Sequence, residues 1–173
     1  LFYGCSSLES LDLSNFNSQN ITDMAFMFYG CSSLKSLDLS NFNPEKVESI
    51  EFMFYDCHSL KYLELGNFNT YSVKNMNNLF YNCSSLISLN LKSFYMLNIS
   101  YYYEIFANFN NSLKYCINKN QIKEEIIDLL NNNFIENETD CPELCFMNSK
   151  KYINEKNKCI NECKDDDTYK FIS

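Results

Sequence analysis

The sequence predicts an α/β solenoid that lays down one coil every 26 residues, and three observations predict it. Cys5, Cys31, Cys57 and Cys83 recur at a constant interval of 26. The same phase carries four leucine triplets: Leu8, Leu11, Leu13; Leu34, Leu37, Leu39; Leu60, Leu63, Leu65; and Leu86, Leu89, Leu91. Between one triplet and the next, apolar residues recur at spacings of three and four. Self-similarity of this kind marks stacked units, none of which can bury its apolar face alone.

The units run Leu1 to Phe26, Met27 to Phe52, Met53 to Asn78 and Leu79 to Glu104, with a degenerate fifth from Ile105. In each, the last two leucines alternate with polar residues, as a half-buried strand requires. Parallel strands are therefore expected on the concave face. Phe16, Phe42, Phe68 and Phe94 follow the strand by three residues and are expected to form an aromatic spine at the turn. Next come Ile21, Val47, Val73 and Ile99, then Met24, Ile50 and Met76, then Phe28, Phe54, Phe80 and Phe106. That spacing is helical, so the return limb is expected to be short helical turns on the convex face.

The string Met27-Phe28-Tyr29-Gly30-Cys31-Ser32-Ser33-Leu34-Lys35-Ser36-Leu37-Asp38-Leu39-Ser40-Asn41-Phe42-Asn43 resembles the BspA-type leucine-rich repeat. Such repeats occur in surface proteins of oral bacteria, mycoplasmas and parasitic or gut protists. The resemblance covers about the first two thirds of the chain. It implies a leucine-rich-repeat fold, an extracellular place on the cell surface, and adhesion to or recognition of host or neighbouring-cell proteins. The fourth unit departs from the pattern at Tyr95, Met96 and Tyr101 to Tyr103.

Composition narrows the function classes. The 173-residue chain carries a net charge of -8 and no Arg, so nothing would neutralise nucleic-acid phosphates. Its many Asn residues read as codon bias in an AT-rich genome. No stretch approaches the roughly 20 apolar residues of a membrane span, and these residues hold no charged n-region followed by an apolar core. The opening in mid-pattern, Leu1-Phe2-Tyr3 without an initiator Met, reads as a piece of a longer chain. With three Gly a nucleotide-binding loop is not expected, and His58, the single His, sits at a turn position that is Ser in the other units. No catalytic group, metal or cofactor is expected.

The nine cysteines divide into groups. Stacking would place the repeat cysteines about 5 Å apart, within reach of a disulfide. A small, weakly polar side chain at one buried position is the better reading, and Phe109 takes that position in the fifth unit. Cys116 is placed at the second strand leucine of that unit, either buried or reaching towards the tail. The tail cysteines Cys141, Cys145, Cys159 and Cys163 are disulfide candidates for a small extracellular module spanning 139–173. A zinc site and a helical hairpin remain open readings, although Pro142 argues against the hairpin. Between the repeat region, 1–118, and this module, 119–138 is expected to hold a capping helix. Its helical stretch, Gln121 to Ile135, turns Ile122, Ile126, Leu129, Leu130 and Phe134 to one side.

Two exposed columns are the candidate ligand surfaces. The outward strand positions are Ser10 and Asp12, Ser36 and Asp38, Tyr62 and Glu64, and Ser88 and Asn90. Stacking would align the acids, an arrangement that a basic partner or a cation would relieve. Lys35 and Lys61 lie nearby, so a compensated, solvated face competes with that reading. The second column is Tyr3, Tyr29, Tyr55 and Tyr81, each beside a core Phe and suited to recognition or to packing. Five glycosylation sequons, at Asn20, Asn82, Asn98, Asn110 and Asn137, fit secretion. The expected function is non-enzymatic recognition of a protein or glycan ligand through the repeat surface. The alternative is a receptor ectodomain or an architectural spacer. The inward and outward assignment predicts that Leu37→Ala costs about 2–5 kcal/mol, well above the cost of Asp38→Ala. Thermal denaturation showing the opposite order would reverse the two faces.

Overall fold

A strand of alternating leucines is stable only if its backbone groups find partners in a neighbour, and here the neighbour lies one repeat away. In a computed structural model, residues 1–109 and 113–133 are described, with side chains through residue 130 and the backbone of three short tail strands. The elements are β1 (Ser36–Asp38), β2 (Tyr62–Glu64), β3 (Ser88–Leu91), β4 (Lys114–Ile117), a 3-10 turn (Lys119–Gln121) and α1 (Glu124–Asn133), then β5 (Tyr152–Asn154), β6 (Cys159–Ile160) and β7 (Tyr169–Lys170). Strands β1 and β2 pair in parallel, as do β3 and β4. A line of lateral bonds joins the units along this limb. The N–H of Lys35 donates to Glu9, Lys61 to Lys35, Ile87 to Lys61 and Lys114 to Ile87, at 2.9–3.3 Å. In the first unit Ser10 to Asp12 form no strand, and Leu8 and Leu11 are only half-buried because one side of that unit is uncovered.

The return limb is not helical. It is a run of overlapping turns in which Met27 N–H donates to Met24, Tyr29 to Phe26, Cys31 to Phe28 and Leu34 to Cys31. The next unit repeats this at Met53, Tyr55, Cys57 and Leu60. Each 3-residue step mimics helical spacing, which is why the periodicity suggested a helix. The intervening N–H groups point sideways: Met24, Phe26, Phe28 and Gly30 donate to Ser49, Glu51, Met53 and Tyr55 of the next unit, at 2.8–3.2 Å. A helix would consume those donors internally. The turns instead place residues in the left-handed region, at Gly4, Gly30, Asp56, Asn82 and Asn108 in one column and at Phe26, Phe52, Asn78 and Glu104 in another. Turns of this class need a positive φ at their third residue, a conformation easy only for Gly and Asn.

Between the two limbs lies the core. Leu37, Leu39, Leu63, Leu65, Leu89 and Leu91 are buried, with Val47, Val73 and Ile99 closing the sides. Phe2, Phe28, Phe54, Phe80 and Phe106 stack in one column, with centroids 5.4–5.9 Å apart. The expected aromatic spine stacks likewise, Phe16 on Phe42 at 5.3 Å and Phe68 on Phe94 at 5.9 Å. Helix α1 and the short segment leading into it bury Ile122, Ile126, Ile127 and Leu130 against this core. Leu129, expected on the same face, is 40% exposed, and Ile127 takes its place inside. Phe134 lies outside the described residues.

The repeat cysteines are free thiols. Three of them donate across the stack: Cys31 Sγ to the carbonyl of Phe2, Cys57 to Phe28 and Cys83 to Phe54, at 3.0–3.2 Å. A position that only packs would serve as well with Ala, so the bond explains why a thiol recurs. Burial pushes the Cys31 thiol up to about 11 and raises Cys57 and Cys83 further, since a thiolate there would be desolvated. Cys116 is displaced by one position from the expectation. Tyr115 pairs with Leu89 at the leucine position, and Cys116 pairs with Asn90 at the outward one. Cys116 is nevertheless buried, and it is disulfide-bonded. In the tail, β5 is the central strand of an antiparallel sheet, flanked by β6 and β7. The side chains of Cys141, Cys145, Cys159 and Cys163 lie outside the described residues.

Gly30→Ala should destabilise the fold by about 1–2 kcal/mol. The cause is backbone strain alone, since φ is +68° and the added Cβ would meet nothing closer than Gly4 at 3.7 Å. Denaturant melts of the two forms measure the difference. The thiols predict a pH effect of definite sign. Below about 9 the folded and unfolded chains both hold these protons, and stability is intact. As pH climbs from there towards about 11, the unfolded thiols ionise before Cys31 does, and stability falls. Cys31→Ala should flatten that decline in melts across this range; an unchanged slope would refute the burial argument.

Candidate recognition surfaces

The outward strand column is brought together as expected, with Ser36 beside Tyr62 and Asp38 beside Glu64. Its polar ends are engaged within the chain. Ser14 N–H donates to Asp12, Ser40 to Asp38, Gly66 to Glu64 and Lys92 to Asn90, at 2.8–3.1 Å. Each side chain thus accepts the N–H two residues on and ends the strand in a tight turn. The Ser14 N–H holds the Asp12 carboxyl below its ordinary range. Burial raises that of Glu64, and Asp38 alongside adds to the rise. Ser36 is buried, Tyr62, Glu64, Ser88 and Asn90 are half-buried, and Ser10 and Asp12 are exposed.

The same device recurs on the return limb. Asp23, Asn75 and Ser49 accept from the N–H two residues on, as do Asn17 and Asn69 after the strand. Much of the Asn content is therefore turn chemistry, a physical role beyond codon bias. Of the sequons, Asn20 and Asn98 are exposed, while Asn82 is half-buried and donates to Asp56 at 2.6 Å. Asn110 and Asn137 lie outside the described residues. His58 faces Asp56 at 3.3 Å on the surface. Lys35 pairs with Glu9, and Lys74 with Glu48, one unit back in each case.

The tyrosine column is real as geometry. Tyr3, Tyr29, Tyr55 and Tyr81 stack with centroids 4.7–4.9 Å apart and rings within 9° of parallel. Beside it Phe26 stacks on Phe52 at 4.9 Å, and Tyr29 touches both. Phe26 and Phe52, the last residues of their units, were not among the expected surface residues. Their signal was the change to Asn78 and Glu104 at the same phase, which the leucine and Phe28 columns do not show in these four units.

A third surface closes the far end of the repeats. The fifth return limb lines a groove of about 860 Å³, walled by Tyr101, Tyr103, Phe106, Phe109 and, from α1, Leu129. The ladder that carries N–H groups of Met76, Asn78, Phe80 and Asn82 onto this limb ends here. One unit on, the N–H groups of Tyr102, Glu104 and Asn108 meet no acceptor among the described residues. Tyr101 stands where earlier units have Asp23, Ser49 and Asn75, and Tyr103 where they have Ala25, Glu51 and Asn77. Both rings are more than 60% exposed. The Glu104 carboxylate bonded to the Tyr103 hydroxyl raises that phenol above its usual range. Lys123 anchors the neighbouring corner, donating to Ile99 at 2.6 Å and lying 5.5 Å over the Tyr102 ring.

Among the described residues no helix is long and apolar enough to cross a membrane. A family model described as Mycoplasma protein of unknown function, DUF285, matches residues 1–120, which span the repeats and stop before α1. No curated protein and no solved structure matches the chain.

Proposed function

The chain belongs to the DUF285 family of Mycoplasma proteins of unknown function, and from that premise we propose that it is a surface-displayed recognition or adhesion protein. Its scaffold is a leucine-rich-repeat solenoid of the BspA type, and it acts by holding a protein ligand without chemical turnover. The open ladder edge in the end groove carries this reading. Three N–H groups, at Tyr102, Glu104 and Asn108, without an acceptor among the described residues, lie along a backbone flanked by exposed aromatic rings. An extended segment of another protein satisfies such an edge through its carbonyls and seats alternate side chains against Tyr101, Tyr103 and Leu129. The outward strand column is a weaker candidate, since its carboxylates already accept backbone bonds. Surface display rests on the resemblance of the repeats.

The test is binding of the immobilised chain to panels of extended peptides, host-surface proteins and glycans. Protein or peptide ligands should bind, and Tyr101→Ala with Tyr103→Ala should weaken them at least about tenfold, as loss of aromatic anchors does. Asp38→Ala should leave affinity unchanged. Binding that ignores the two tyrosines, or binding confined to glycans, would overturn the groove reading.

A further inference from the structure

The aromatic lattice on the return limb runs along the stack up to Tyr81, one unit short of Ala107 in the end groove, and calls for its own explanation. Six rings, those of Tyr3, Phe26, Tyr29, Phe52, Tyr55 and Tyr81, touch in an unbroken network. Tyr3 is 64% and Phe26 37% exposed, and the other four are half-exposed. Phe26 and Phe52 hold φ of +58° and +53°, a conformation that strains a bulky side chain. The third unit solves the same backbone problem with Asn78, which tolerates it. Two phenylalanines at these positions therefore cost strain, and although the neighbouring rings cover most of each, part of their apolar surface stays exposed. Strain of this kind is retained where the side chain has work outside the fold.

We propose that this lattice is the face on which a second copy of the chain docks. The choice of occupant follows from period and chemistry. The tyrosines spend their ring faces on one another, so only edges and hydroxyls point outward, repeating every 4.7–4.9 Å. A sugar stacks on ring faces, and here such faces are free only at the ends of the column. A single extended strand presents one face about every 6.6 Å, and a helix turns about every 5.4 Å. Neither stays in register over four rings. Another stack of coils repeats at the strand spacing itself, and identical ladders facing one another interdigitate as paired sheets do. The same patch on both partners gives a closed two-fold dimer. The lattice residues carry no charge, so docking strands none of them; Asp56 lies at its margin. The net charge of -8 on each copy opposes association, so added salt should strengthen it.

Sedimentation equilibrium of the full chain, from micromolar to submillimolar concentration and at low and high salt, tests the proposal. A reversible dimer is expected, tighter at high salt. Phe26→Asn with Phe52→Asn, which copies the third unit, should weaken it at least about tenfold, while the circular dichroism spectrum of the monomer stays that of the folded chain. Tyr3→Ser removes the most exposed ring of the lattice, and it should weaken the dimer as well. Tyr71→Ser, an exposed tyrosine outside the lattice, should do nothing. A chain that stays monomeric throughout, or self-association indifferent to both lattice changes, overturns the proposal. Ligand binding at the Tyr101 and Tyr103 groove would survive either result.

Discussion

Lateral hydrogen bonding between a residue and its counterpart one unit away is the constraint from which the rest of this structure follows. Two ladders carry it, one along the strands and one along the return limb. Both must advance by the same distance per unit, so the repeat cannot drift in length without breaking one of them. Every side chain at a given phase is thereby laid directly on its counterpart. The stacked Phe, Tyr and Leu columns are the consequence, and each unit supplies the cover that its neighbour lacks.

That constraint also explains choices that look arbitrary one residue at a time. The return limb gives up helical bonds so that alternate N–H groups can reach sideways, and the turns this requires bring residues into the left-handed region. Gly30, Asn82 and Asn108 meet that demand easily. Side-chain acceptors then satisfy N–H groups that the turns leave over, from Asp12 and Asp38 at the strand ends to Asn75 on the other limb. The thiols belong to the same economy of donors and acceptors, since Cys57 Sγ reaches a carbonyl that neither ladder uses. Their burial keeps them protonated and inert, so their recurrence is architectural.

Where the ladders stop, the constraint becomes an opportunity. The fifth return limb offers donors with no further unit to receive them, and the chain changes from polar residues to Tyr101 and Tyr103 at that point. The flank of the stack offers a different surface, where Phe26 and Phe52 accept strain to stand beside the tyrosine column. On a repeat scaffold the core dictates spacing, while uncovered edges and faces are free to vary.

The sequence by itself determined the period, the units, the inward leucines, the Phe spine and the tyrosine column, because each is a side-chain pattern repeated four times in phase. It also placed a helix after the repeats, begun three residues early at Gln121 and with Leu129 and Ile127 exchanged between inside and outside. What it could not determine was where the backbone donors go. A spacing of three fits an α-helix and a run of overlapping turns equally well, and only lateral pairing distinguishes them. The same gap hid the role of the strand-end acids, which look outward in a pattern but bend back to a neighbouring N–H. It hid the end groove too, since an unpaired donor is defined by the absence of a neighbour in space. For Cys116 the period already sufficed, since it follows Asn90 by 26 residues and pairs with it at the outward position; only the tertiary structure decided that it is buried and disulfide-bonded there.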